Sequence, residues 1–475
     1  MGLITWLKDA WNKLFKREIK ERFDADILLS DVMERWIHDW SLITAGKPMW
    51  LDPEDDIESI NFAGFIDDIT AGLVTLDIGI EMPEGERGEY LQKQAEYVLQ
   101  VINDKVSESI GNAGMMFKPN GRNVDYIEPG NFAPTEVDSN GNILGCVFQD
   151  RITKKNVTYT KLEWHRFQEV AGEDGSTRKI YKITNYAYKN TGNAMVGIGK
   201  PCKLSEVSEW AVLEEEVALE NIESPLFAYF KNPAPNRYDR TSPLGVPIWN
   251  NCINELKALD IAWSRKSGEV EDSKHMTFLP QSAVAYANAH GVKLPRWVGG
   301  VERGVGVADD NSIHEHVSTL LTEQRISDIN SILAIISMKC GFSQGFFVLN
   351  EKTGMMTATQ VEADDQETIR TIKNIRDSLR NALDNLFYAL NVMADLYTDI
   401  PSADWDTLKD SIVYNWGDIT YSYNEDKANW WKYRIQGDVP PWMYYVKFEG
   451  MSEEDAKAMV EEAQPEEQPG FFQEE

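Results

Sequence analysis

The stretch from Gly341 to Tyr397 constrains the fold more than any other. It opens with a loop rich in glycine and aromatic residues, Gly341-Phe342-Ser343-Gln344-Gly345-Phe346-Phe347, and continues into a polar tip, Asn350-Glu351-Lys352-Thr353-Gly354. Behind the tip, Thr357 and Gln360 have the spacing of a capping box, in which two side chains satisfy the free backbone N–H groups of a helix start. Ile372, Ile375, Leu379, Leu383, Leu386, Leu390, Met393 and Leu396 then mark one face of a helix. From Thr357 to Tyr397 that helix would be ~60 Å long. One compact core does not cover such a length, so part of it is expected to pack on another subunit or to carry a kink. A second long helix is expected just before the loop. Ser312 with Glu315 reads as its capping box, Ile329, Leu333 and Ile336 lie on its apolar face, and Gly341 is the left-handed residue that ends it.

The chain before these helices divides by periodicity. Residues 19 to about 115 read mostly helical, with Ile27, Leu28, Val32, Trp36, Ile37 and Trp40 at helical spacing and a second pattern over Tyr90–Val106. From Met115 to Lys200 the period changes to two, and Asp138-Ser139-Asn140-Gly141 and Glu173-Asp174-Gly175 read as hairpin turns, giving an antiparallel meander. The class is therefore α+β. A proline-punctuated linker, Asn232-Pro233-Ala234-Pro235-Asn236, precedes one helix over Ile248–Val270, with Pro247 suited to its first turn. Phe278–Asp310 is short, β-like and glycine-rich, a compact excursion between two helices. Ile412–Tyr423 alternates as one or two strands, Asp426–Gln436 and Ser452–Glu462 are helical, and Gln464–Glu475 is an acidic tail.

Composition narrows the functional classes. The 475 residues contain 42% apolar and 11% aromatic side chains, enough for a sizeable core, and the formal net charge is −30. That balance is opposite to a groove-wrapping nucleic-acid binder, which neutralises phosphates with Lys and Arg. An acidic surface faces DNA as a wall that repels it. Cys146, Cys202, Cys252 and Cys340 are widely spaced, with no zinc-knuckle or disulfide pattern, and read as small buried hydrophobes of a reducing compartment. At the N-terminus, Leu3, Ile4, Trp6, Leu7, Trp11, Leu14 and Phe15 alternate with Lys8, Lys13, Lys16 and Arg17 in an amphipathic pattern. Such a helix lies on a membrane or docks on a neighbouring protein surface. No apolar run approaches the ~20 residues of a membrane span.

Catalytic patterns are missing. His314 and His316 are two apart and do not share a helix face. There is no HExxH, the glycines at 299, 300, 304 and 306 lack the Lys of a phosphate-binding loop, and no nucleophile–base spacing is evident. With 77 acidic residues, pairs such as Asp55-Asp56 and Asp364-Asp365 are expected by chance on solvated faces. These residues point to a structural or assembly protein without an enzymatic activity, a cofactor or a metal site.

Several segments, in this order, resemble the portal proteins of tailed bacteriophages with long non-contractile tails. They are Lys161-Leu162-Glu163-Trp164-His165, Pro225-Leu226-Phe227, Lys231-Asn232-Pro233, Ser242-Pro243-Leu244-Gly245, Ala258-Leu259-Asp260-Ile261-Ala262, Cys340-Gly341-Phe342, and Thr357-Ala358-Thr359-Gln360-Val361 with Thr368 and Thr371. The resemblance implies a ring, usually a dodecamer, at one capsid vertex of the virion, assembled in the host cytoplasm. Double-stranded DNA passes through it during packaging and ejection. It also implies a portal fold. Residues 1–245 and 398–428 would form a wing, with a long kinked helix over 357–397. Residues 246–270 and 312–340 would be stem helices, 271–311 a small α/β clip, 341–356 a tunnel loop, and 429–475 a short helical crown with its acidic tail. Partners implied are the terminase large subunit, the head–tail adaptor, the major capsid and scaffolding proteins, and no membrane.

On that basis Asn350, Glu351, Lys352 and Thr353 would face DNA, and Gly341, Gly345 and Gly354 would be the loop's hinges. Lys352 is a sparse positive contact for phosphate, or an ordinary solvated lysine. Lys293, Arg296 and Trp297 would touch partners from the clip, with simple clip packing equally open for Trp297. A phage nucleic-acid-processing enzyme is the alternative from another class, and a membrane-associated assembly factor resting on Met1–Arg17 is a third. The first needs an acidic metal cluster or a phosphate loop that the spacing does not provide.

Overall fold

The structure, a computed structural model, describes residues 16–17, 19–51, 56–121, 123–171, 177–191, 198–272, 276–278, 289–291, 314–316, 321–349, 366–417, 440–449 and 451–462. Described residues up to Asn415 belong to one compact unit, and those from Trp416 onward to a second.

Three helices begin the first unit: α1 (Asp31–Thr44), α2 (Phe62–Val74) and α3 (Glu86–Ile110), with a short strand β1 (Gly79–Glu81) before α3. At the start of α1 the Ser30 side chain accepts from the Met33 N–H, and Asp31 and Glu34 sit where the helix dipole favours negative charge. Met33, Ile37, Trp40 and Ile43 form its buried stripe. The helical spacing at Ile27 and Leu28 does not extend α1 backwards, because the Leu28 N–H is spent on the Pro134 carbonyl at 2.8 Å.

The antiparallel meander follows. Strands β2 (Met115–Pro119) and β3 (Val124–Ile127) form a small sheet, and β4 (Phe132–Val137), β5 (Ile143–Lys154), β6 (Val157–Ala171), β7 (Thr177–Asn190) and β8 (Lys200–Cys202) form a larger one in that order. A further strand, β9 (Glu216–Leu219), pairs with β7, and β10 (Ala228–Phe230) returns to pair with β2. The β5–β6 connection is a two-residue turn, Lys155-Asn156, with both φ angles positive (49° and 63°), which matches the twist of a hairpin. The Asp138–Asn142 turn stands where its sequence placed it, with the Asp138 carboxylate accepting from the Asn140 and Asn142 N–H groups.

After a 3-10 turn at Asn250–Cys252 comes α4 (Ile253–Asp272), so Pro247 begins a tight turn and the helix itself starts five residues later than the sequence suggested. An antiparallel pair, β11 (Met276–Phe278) and β12 (His314–His316), separates α4 from α5 (Thr322–Cys340). This corrects the expected helix start at Ser312: Glu315 is paired with Thr277 in a strand, and so cannot occupy the third position of a helix. The work of a cap is done from another helix. Glu269 of α4 accepts the Leu321 N–H at 2.8 Å and the Arg325 Nε–H at 3.0 Å.

Helix α6 (Gln366–Tyr397) is a single run of 32 residues, ~48 Å long at about 1.5 Å per residue. The expected burial problem does not arise over this range. One face of the helix, from Thr368 to Ala394, is buried within the chain itself, because α6 lies against β2, β10, α2 and α3. Two arginines secure it. Arg376 donates to the Leu73 and Val74 carbonyls, the unsatisfied end of α2, and Arg87 of α3 donates to the carbonyls of Asn391, Ile400 and Pro401 around the C-terminal end of α6. Helix α7 (Trp405–Asp410) and strand β13 (Val413–Asn415), which pairs with β1, complete the unit. The second unit contains α8 (Pro441–Glu449) and α9 (Glu453–Glu462), in contact with each other and joined by a Lys457 ammonium over the Trp442 ring.

Candidate functional site: the joint between the helical pair and the long helix

The end of α5 is clasped by α6. Gly341 has φ +82°, and its N–H reaches back to the Ser337 and Met338 carbonyls, which is the left-handed termination expected of glycine. Its own carbonyl accepts from Thr371 Oγ1 at 2.6 Å, and a Cβ at this position would stand 2.5 Å from that same oxygen. Glycine is therefore required twice over, by backbone angle and by space. Thr368, on the same face of α6, takes the Ser343 N–H at 2.9 Å and shares a hydroxyl hydrogen bond with Ser343 Oγ at 2.9 Å.

The loop beyond is packed, not splayed. Phe342 is fully buried; Phe347 meets Phe342 and Phe62 of α2 at edge-on geometry, with ring centroids 5.4 and 5.3 Å away. The chain then folds back along α5: Phe347 N–H reaches Ser337 Oγ and Leu349 N–H reaches Asn330 Oδ1 at 3.0 Å. Of the three glycines expected as hinges, Gly341 and Gly345 lie in this packed turn, and Gly354 lies outside the described residues. The DNA-facing candidates Asn350, Glu351, Lys352 and Thr353, the Thr357 capping box, and the clip residues Lys293, Arg296 and Trp297 also lie outside them.

Below the clasp, segments from five parts of the chain converge. Cys252 and Cys340, 88 positions apart, bring their sulfurs to 3.5 Å as free thiols. The hydrogen bond to Cys252 and then burial push the Cys340 pKa well up. Neighbouring Asp67 of α2 is wholly buried with Trp249 Nε1 donating to it at 3.0 Å. Asp260 of α4 takes Trp50 Nε1 at 2.9 Å and the Ile60 N–H at 3.1 Å, tying the segment before α2 to α4. Lys339 pairs with Glu255 at 2.5 Å across α5 and α4.

One face of α5 is left open by the described residues. Ser327, Ser331, Ala334, Ile335 and Met338, with Gln344 of the returning loop, line an open groove, and Ile335 and Met338 are 40% and 47% exposed. Leu349 and Phe346 continue this apolar surface onto the loop.

A second polar focus lies inside the meander, where the segments Lys161–His165 and Pro225–Phe227 meet. Glu163 accepts from Lys118 at 2.8 Å, from Lys161 at 2.8 Å and from His165 Nε2 at 2.7 Å. His165 Nδ1 lies 2.9 Å from the Tyr181 hydroxyl, which in turn accepts the Leu226 N–H at 3.0 Å. The Glu163 carboxylate can only accept, so Nε2 carries the proton; with the His165 pKa lowered, Nδ1 is the bare nitrogen and accepts from the Tyr181 hydroxyl. Burial lowers the His165 pKa, with the Glu163 hydrogen bond opposing. For Glu163, burial acts upward, but Lys118, Lys161 and His165 together outweigh it and hold the carboxyl well below its ordinary range. Phe227 meets the rings of both Phe148 and His165 edge-on, so Pro225-Leu226-Phe227 is bound to Lys161–His165 through this cluster.

Asp67 and the clasping roles of Thr368 and Thr371 were not assigned from sequence. The carboxylate pair Asp67-Asp68 in the largely apolar run Phe62–Val74 was the available signal for Asp67. Among the described residues no group of three or more His, Cys, Asp or Glu side chains is arranged to hold a metal ion, and no helix is long and apolar enough to cross a membrane. Compared with known proteins, the chain matches no family model and no curated protein.

Proposed function

We propose that this chain is the subunit of a portal-type ring, a channel for double-stranded DNA at a capsid vertex and a docking platform for a packaging motor and a head–tail adaptor. The observation that carries the reading is the α4–α5 pair. Two long helices packed together, joined at their far end through a small antiparallel pair and clasped at their near end by α6, make a stem fixed to a wing. The face of α5 that the described residues leave open, with Ile335 and Met338 exposed, supports it, since a ring buries such a face against the next copy. The net charge of −30 per chain supports it too, since an acidic wall lets DNA pass with little binding.

In this reading residues 341–356 form the channel loop, with Lys352 as its sparse phosphate contact and Lys293, Arg296 and Trp297 as partner contacts. Electron microscopy of the purified full chain tests the proposal. Closed rings with a central channel wide enough for a DNA duplex are expected; a stable monomer, or one that cleaves DNA with magnesium, overturns it. Lys352→Glu is expected to slow packaging while rings still assemble, and unchanged packaging removes that residue from the scheme.

A further inference from the structure

Cys252 ends the 3-10 turn before α4, and Cys340 is the last residue of α5. Both are buried free thiols, and their sulfurs stand 3.5 Å apart although 88 positions separate them. The backbone is held on both sides of the pair. The Cys252 N–H closes its turn on the Trp249 carbonyl at 2.9 Å, and the Cys252 sulfur also lies 3.9 Å from the Ile336 carbonyl, one turn before Cys340. Next to Cys340, the Lys339 ammonium meets Glu255 of α4, and the Gly341 carbonyl is taken by Thr371. A disulfide bond is ~2.05 Å long, so closing it takes about 1.5 Å of sulfur movement, shared between two side chains. The other two cysteines are placed differently. Cys146 is on β5 and Cys202 on β8, with β6 and β7 between them. Three strand spacings put these backbones about 14 Å apart, beyond the reach of a bond.

We propose that Cys252 and Cys340 are a modification site, at which a hydroperoxide closes a disulfide that locks the start of α4 to the end of α5. Cys340 is the entry point, at 4% exposure against 0% for Cys252. Its sulfur gives up a proton and attacks the peroxide O–O bond. One oxygen stays on the sulfur as a sulfenic acid, and the other leaves as water when the oxidant is hydrogen peroxide. The Cys252 sulfur then gives up its proton and attacks the sulfenic sulfur. The S–S bond forms, the S–O bond breaks, and the oxygen leaves with that proton as a second water. Two thiols have lost two electrons, and the peroxide has gained them.

The hydrogen bond to Cys252 and then burial keep the Cys340 thiol protonated at neutral pH, so the first step is slow. In a reducing compartment the pair therefore stays open. The far end of the helical pair is already tied, by Glu269 to Leu321 and Arg325. The disulfide ties the near end covalently, at the joint where α6 clasps α5.

Treatment of the folded full chain with hydrogen peroxide tests this, followed by unfolding, alkylation of the remaining thiols and peptide mapping without reductant. One bond within the chain is expected, Cys252 to Cys340, with Cys146 and Cys202 not joined to each other. Recovery of Cys252 and Cys340 as thiols, sulfinic acid at either without a bond, or bonds to a second chain overturns the proposal. Oxidised wild type is expected to unfold in urea with an equilibrium constant about 30- to 1,000-fold smaller than after reduction with dithiothreitol. Equal unfolding of the two forms overturns the lock. Cys252→Ala is expected to show no difference between the two treatments, and a gain as large as that of wild type overturns the assignment to this pair. If Cys252→Ala does not fold, the wild-type peptide map decides alone.

Discussion

The meander and the joint both bury polar groups, and they satisfy them in opposite ways. In the meander Glu163 is ionised and is held by the Lys161 ammonium and the His165 imidazole of its own strand β6 and by the Lys118 ammonium of β2. At the clasp of the joint the bonds are made by threonine and serine hydroxyls and a glycine carbonyl. Lys161, Glu163 and His165 stand two apart on one face of β6, which β5 and β7 lock in register, so opposite charges are held at fixed separations and can be desolvated together. The joint gathers segments far apart in sequence. Uncharged bonds there cost less to break and remake than a buried ion pair. The meander is built as a fixed block, the joint as a connection that can yield.

The largest expected effect tests the charged block. Glu163→Gln leaves two buried ammoniums without their counter-ion and is expected to destabilise the first unit by about 3–5 kcal/mol. A denaturant melt measures it, and the triple change of Lys118, Lys161 and Glu163 to Met, Met and Gln should cost less than the single one. If the single change is silent, the cluster is not what holds the meander.

Gly341→Ala comes next. It forces a side chain into the left-handed region and against Thr371 Oγ1, for about 2–4 kcal/mol. Thr371→Val, which removes only the hydroxyl, is expected to cost about 1–2 kcal/mol. Hydrogen exchange should show both losses in residues 337–349 and not in β5–β7; exchange rising equally everywhere would mean that the joint is not a separable unit.

Titration gives the gentlest test, and here the two regions should move apart. The His165 pKa is lowered in the fold, so the unfolded chain binds a proton near 6.5 that the folded chain refuses, and stability falls as pH drops below that value. The depressed Glu163 carboxyl acts in the same direction, its contribution present above 4.5 and lost as pH falls through the folded value. Asp67 has the opposite sign: burial raises its pKa, so its contribution is lost as pH rises through the folded value. Segmental hydrogen exchange between pH 5 and 9 should therefore show β6–β7 loosening in acid and the Asp67 segment loosening in base. A common trend would erase the distinction.

The sequence by itself determined the elements whose signal is local. Apolar stripes of period 3.6 marked α1, α3, α5 and α6, and alternation with Asp-Asn-Gly turns marked the meander, because each face had to be buried somewhere whatever the partner. It also marked Gly341, since a helix ending at Lys339-Cys340 before a glycine has one favoured termination. Spacing alone misplaced the start of α5, because Ser312 with Glu315 fits a capping box equally well when Glu315 is paired to Thr277 in a strand. It also assigned the helix over Thr357–Tyr397 a burial deficit, which over Gln366–Tyr397 is met by β2, β10, α2 and α3. Tertiary structure decided the rest: Thr368 and Thr371 against the loop, Cys252 beside Cys340, Asp67 beneath Trp249, and Lys118 brought to Glu163. Each joins residues whose sequence separation no local period encodes, and each exists only because packing fixed the backbone first.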